Sequence, residues 1–176
     1  MLWVKRLFRK TFLLVFIVFV LMVTACSANK SQNGKLPEKK PLDFGFVLNY
    51  GVEAKNQLDT EKGTYTLDMV TEPSVTINLK LSEEEINEIY TLMKKLDILS
   101  YPDVFNPKSN TMQTPFSTYS MKIIVDGKKK DIYWKDENVS ESKVAVRLRD
   151  LINRIHEIVI GKEEYKKLPQ PKGGYL

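Results

Sequence analysis

Thr118–Lys135 reads TYSMKIIVDGKKKDIYWK, and this stretch decides the fold. Asp126-Gly127 between two runs of β-branched and aromatic residues is a strong signal for a two-residue hairpin turn, because both central positions need a positive φ. Such a loop sets Val125 against Lys128, Ile123 against Lys130, Met121 against Ile132 and Tyr119 against Trp134 on one face. The other face then gains Ser120 opposite Tyr133 and Lys122 opposite Asp131, an attractive cross-strand pair. Register and chemistry agree, so an antiparallel hairpin is expected here.

Alternation of the same kind recurs upstream. Phe44, Phe46, Leu48 and Tyr50 share one side of an extended run, Tyr65, Leu67 and Met69 a second, and Val75, Ile77 and Leu79 a third. Polar residues fill the intervening positions, the mark of strands with one buried and one wet face. Asn56–Thr60 can pair with Thr64–Val70 across Glu61-Lys62-Gly63, with Gly63 supplying the positive φ.

Two helices complete the domain. Ser82-Glu83-Glu84-Glu85 forms a capping box, and Ile86, Ile89, Tyr90, Met93 and Leu96 follow at helical spacing. From about Glu141 to Ile160, Val144, Leu148, Leu151, Ile152, Ile155 and Val159 make a second stripe, which Gly161 ends. The expected class is α+β: an antiparallel sheet of about five strands with two helices packed on one face. The domain spans 44–161, and 162–176, with Pro169, Pro171 and Gly173-Gly174, reads as an appended tail.

Ser100–Ser117 contains prolines at 102, 107 and 115 and the aromatics Tyr101, Phe105 and Phe116. Connections of this length without secondary structure are uncommon in compact domains and are often either functional or disordered. The three aromatics are therefore the candidate binding loop. The competing reading is that they fold back over one end of the core.

The amino terminus supplies an address. Met1–Lys10 carries Lys5, Arg6, Arg9 and Lys10 and no acid, and Thr11–Val23 is almost wholly apolar. Thirteen residues make only about 20 Å of helix, against a hydrocarbon core of about 30 Å. Residues 1–25 thus read as a secretory signal peptide. Val23-Thr24-Ala25-Cys26 resembles the lipobox of bacterial lipoproteins. The resemblance implies lipidation of Cys26, removal of Met1–Ala25 and display on the extracytoplasmic face of the cell membrane. Two or three acyl chains on Cys26 would contribute on the order of 20 kcal/mol of anchoring. Residues 26–43 would form the lipidated cysteine and a flexible tether. The segments F-x-L-x-Y-G (Phe46–Gly51), L-D-T (Leu58–Thr60) and G-T-Y-T (Gly63–Thr66) resemble small domains on lipoproteins of Gram-positive, Bacillus-like bacteria. That likeness carries over no active residue.

Composition narrows the function classes. Of 27 basic residues, 4 lie in the leader and none of the 22 acids does; 27 less 4 leaves 23 against 22. The basic excess belongs to the leader, so bulk charge gives no support to nucleic-acid binding. Cys26 is the only cysteine and His156 the only histidine, which excludes clustered His or Cys metal sites. No catalytic, cofactor-binding or metal-binding residue is assigned.

His156 sits beside an apolar stripe and reads as a core-edge residue. Ser140-x-x-Lys143 lacks the companion motifs of serine acyl-enzymes and reads as a helix start. Asp59, Glu61 and Asp68 do not have EF-hand spacing and read as a turn. Lys128–Lys130 beside Tyr133 and Trp134 could form a basic–aromatic patch, or guard a strand edge. The expected function is a lipid-anchored, non-catalytic binding or interaction module of the cell envelope. Its expected partners are the membrane, through Cys26, and an envelope protein or wall component. The alternatives are a hydrolase using paired carboxylates, or a structural or inhibitory partner of another envelope protein.

Overall fold

The computed structural model describes residues 34–109 and 111–175; the expected leader, Cys26 and residues 27–33 of the expected tether lie outside the described residues. The class is α+β, as the alternation requires. Among the described residues six strands form one antiparallel sheet: β1 (Gly45–Tyr50), β2 (Asn56–Asp59), β3 (Thr64–Met69), β4 (Glu72–Asn78), β5 (Thr118–Val125) and β6 (Lys128–Lys135). Their spatial order is β4-β3-β2-β1-β5-β6. The sequence predicts about five. The pairing open to Asn56–Thr60 across Glu61-Lys62-Gly63 is made, β2 against β3, and brings the count to six.

The β5–β6 register is the one the Asp-Gly turn dictates, from Val125 opposite Lys128 to Tyr119 opposite Trp134. Asp126 and Gly127 both have positive φ, 49° and 69°. Asp43 completes the turn: its carboxylate accepts from the Asp126 N–H at 3.1 Å and the Gly127 N–H at 2.6 Å.

Helix α1 (Glu83–Lys95) starts at a complete capping box. Helix α2 (Lys143–Gly161) is capped by the Ser142 side chain. A third short helix, α3 (Glu163–Lys166), follows. The apolar stripes of α1 and α2 join the chains facing them from the sheet in one buried cluster, which includes Phe46, Leu48, Leu58, Ile89, Ile123, Leu148 and Ile155. Each such side chain contributes about 1.5–3 kcal/mol by leaving water. Among the described residues no helix is long and apolar enough to cross a membrane.

Three segments that look peripheral in sequence are built into the domain. Leu36, in the expected tether, is buried, and the Tyr90 hydroxyl donates to the Pro37 carbonyl at 2.6 Å. A free tether therefore does not extend through 34–43. The expected tail is docked as well: Leu168 is buried, Lys172 bridges to Val70 and the Tyr175 hydroxyl donates to Asp68. Both segments carry an apolar or aromatic side chain that the core accepts, and spacing alone could not reveal that.

The proline-containing stretch is the third. Tyr101 and Phe105 are buried, 6% and 8% exposed. Their rings meet edge-on at 5.3 Å, and Phe105 meets Trp134 at 5.2 Å. Backbone bonds run from the Phe105 N–H to the Tyr133 carbonyl and from the Tyr133 N–H to the Asp103 carbonyl, both 2.8 Å, so this segment covers the β6 edge.

Candidate functional site

Because side chains alternate along a strand, the sheet has a second face, turned away from the helices. On it one residue from every strand falls in line. Thr76 lies opposite Thr66, Thr66 opposite Gln57, Gln57 opposite Asn49, Asn49 opposite Ser120, and Ser120 opposite Tyr133. The row crosses five strand spacings, about 24 Å. Every member bears a hydroxyl or a carboxamide and none is charged at neutral pH. Neighbouring members hold one another: Gln57 Nε2 donates to Asn49 Oδ1 at 3.2 Å, and the Thr66 and Thr76 hydroxyls are 2.8 Å apart. The adjacent row on the same face contains Asp59, Val47, Lys122 and Asp131, so charge returns one pleat away.

The row ends in a depression. Val52, Ala54, Pro115, Phe116, Thr118 and Tyr133 are among the residues around a cavity of about 540 Å³, a size within the usual range for small-ligand sites. Tyr133 is 39% exposed, making it a large aromatic surface at the end of the polar row. Two elements build the cavity wall. The turn Val52–Ala54 leaves β1 through Gly51, and the chain around Phe116 leads into β5, whose Thr118 N–H donates to the Gly51 carbonyl at 2.8 Å. Glu53, on the rim, pairs with Lys55 at 2.7 Å. The Glu53 carboxylate, accepting from the Lys55 ammonium, holds that lysine above its ordinary pKa.

The candidate loop residues therefore separate. Phe116 is half-buried and lines the cavity, whereas Tyr101 and Phe105 belong to the core and present nothing to a ligand. Sequence reasoning missed Asn49 and Gln57, and as a site residue placed Tyr133 only beside Lys128–Lys130. Each is the polar partner in an alternating strand, but strand order is needed to see them in line.

The other candidate residues are structural in their contacts. His156 Nδ1 lies 3.0 Å from the Tyr50 hydroxyl, which in turn lies 3.0 Å from the Tyr65 hydroxyl. Burial lowers the His156 pKa and pushes the Tyr65 phenol up to about 12. Ser140 donates to the Lys108 carbonyl at 3.1 Å and to Ser142 Oγ at 3.1 Å. Asp59 accepts from the Glu61 and Lys62 N–H groups at 3.1 and 2.9 Å, closing the β2–β3 turn. Lys130 pairs with Asp103, and Trp134 is 1% exposed, so the basic–aromatic patch is not formed by these two. Among the described residues no group of three or more His, Cys, Asp or Glu is placed to hold a metal ion.

The fold and site define an α+β domain with helices on one sheet face and a neutral, aromatic-ended row on the other. No known family matches the chain, and comparisons with curated proteins and with solved structures found no match.

Proposed function

We infer that this chain is a lipoprotein held at the extracytoplasmic face of the cell membrane by lipid on Cys26, and that its domain binds an envelope component without catalysis. The observation that carries the anchor is Thr11–Cys26: a short apolar run ending in Val23-Thr24-Ala25-Cys26, with the only cysteine at its last position. Support for binding over catalysis comes from the disposition of reactive groups. The single imidazole is engaged with Tyr50. Paired-carboxylate hydrolysis needs two acids across one cleft. At the cavity beside Phe116 the lining includes one acid, Glu53, which is in an ion pair with Lys55. Two other cavities each carry two acids, Glu61 with Glu83 and Glu88 with Asp150, of which Glu83 and Glu88 are in ion pairs with Lys40 and Arg154.

Metabolic labelling with a fatty acid tests the anchor. The native chain should take up label and lose Met1–Ala25, while Cys26→Ser should remain an unlabelled precursor. Normal labelling of that variant sinks the assignment.

A further inference from the structure

We propose that the open sheet face binds a glycan strand of the cell wall, a chain of N-acetylated amino sugars, along the row Asn49, Gln57, Thr66, Thr76 and Ser120, with Tyr133 and Phe116 as the ring-stacking end. This rests on the reading of the domain as a binding module outside the cytoplasm, and it names the ligand class.

Four features point to a neutral polyhydroxylated chain. First, the row itself is uncharged across all six strands, although 28% of the chain is charged; the charges of this face, Lys122 and Asp131 on one side and Lys135 on the other, stand in the flanking rows. A phosphate or carboxylate polymer would call for a line of cations there; a sugar chain calls for hydroxyls and carboxamides, which both donate and accept. Second, Asn49 and Gln57 are joined through Nε2–Oδ1, leaving the Asn49 amide donors and the Gln57 carbonyl to meet an acetamido group without first reorganising. Third, the half-exposed Tyr133 ring and Phe116 flank a mainly apolar depression at one end of the row. The C–H face of a sugar ring is apolar and fits such a surface, while its edge hydroxyls reach the polar row. Fourth, the row extends over about 24 Å, a length suited to a linear strand rather than a compact metabolite.

The test is co-sedimentation of the full chain, in non-ionic detergent, with insoluble wall glycan stripped of its anionic polymers. The chain should pellet, and binding should hold between about 0.05 and 0.5 M salt because no charge pair is screened. A soluble tetramer of β-1,4-linked N-acetylglucosamine should release it. Tyr133→Ala should weaken binding about ten-fold, as expected for loss of a principal contact. Ser120→Arg, at an exposed position that leaves the core alone, should do the same, and Asn87→Arg on the exposed face of α1 should not. Thermal melting reports whether each variant is folded. Absence of pelleting, pelleting suppressed by salt, or pelleting unchanged in both Tyr133→Ala and Ser120→Arg overturns the proposal. Fatty-acid labelling of Cys26 reads the anchor separately, so the two failures are distinguishable.

Discussion

Replacing Tyr50 with Phe tests the buried polar chain that ties β1 to α2. The Tyr50 hydroxyl lies 3.0 Å from the Tyr65 hydroxyl and 3.0 Å from His156 Nδ1, so removing one oxygen breaks both contacts. The two stranded groups are not equivalent. Tyr65 is 1% exposed, and an unsatisfied buried hydroxyl costs about 1–3 kcal/mol. His156 is only partly buried and can be rehydrated, so its loss adds little. The expected destabilisation is about 2–3 kcal/mol. For a domain of this size that lowers Tm by about 7–12 °C.

Tyr50→Phe/Tyr65→Phe separates this account from a simple packing effect. With both hydroxyls gone no donor is stranded between them, so the double variant should be no less stable than Tyr50→Phe. The coupling energy should be about 1–2 kcal/mol. Urea denaturation followed by circular dichroism supplies all four corners of the cycle. Strictly additive costs, or a Tyr50→Phe penalty under about 0.5 kcal/mol, would refute the reasoning.

Other perturbations follow from the same geometry. Asp136 is 8% exposed and holds Arg149 through two hydrogen bonds of 2.7 and 2.8 Å; Asp136→Ala leaves the guanidinium unpaired over the Trp134 ring and should cost about 3 kcal/mol, read by urea denaturation. Ser82→Ala removes one half of the α1 capping box and should cost about 1 kcal/mol, read as a fall in Tm. Burial lowers the His156 pKa below its ordinary 6.5. The unfolded chain then takes up that proton first, so this contribution is present above about pH 6.5 and is lost as pH falls through the folded-state value. The native chain should accordingly lose Tm more steeply below pH 6.5 than His156→Gln does; parallel profiles would show that the imidazole is not linked to folding.

Much of the fold is legible along the chain because its signals are local. Asp126-Gly127 sets the β5–β6 register through backbone geometry that few other dipeptides tolerate, and Ser82 with Glu85 marks the start of α1 within four residues. Strand β2 is legible through its turn, Glu61-Lys62-Gly63, rather than through alternation, since Asn56–Asp59 offers four residues and only Leu58 is apolar among them.

The sites depended on distance in sequence. Phe105 and Phe116 both sit in a proline-containing stretch, and nothing local says that one stacks on Trp134 while the other borders a cavity. Tyr175 looks like a tail residue until Asp68, 107 positions earlier, is seen to accept its hydroxyl proton. By itself the sequence determined the α+β class, the hairpin register, the helix starts and the expectation of a lipid address, because turn chemistry, capping and hydrophobic period act within a few residues. Only the tertiary structure decided that β1 is central between β2 and β5. That order brings polar side chains from six strands into one line, since hydrogen bonding between strands, unlike period along one, is a choice among distant partners.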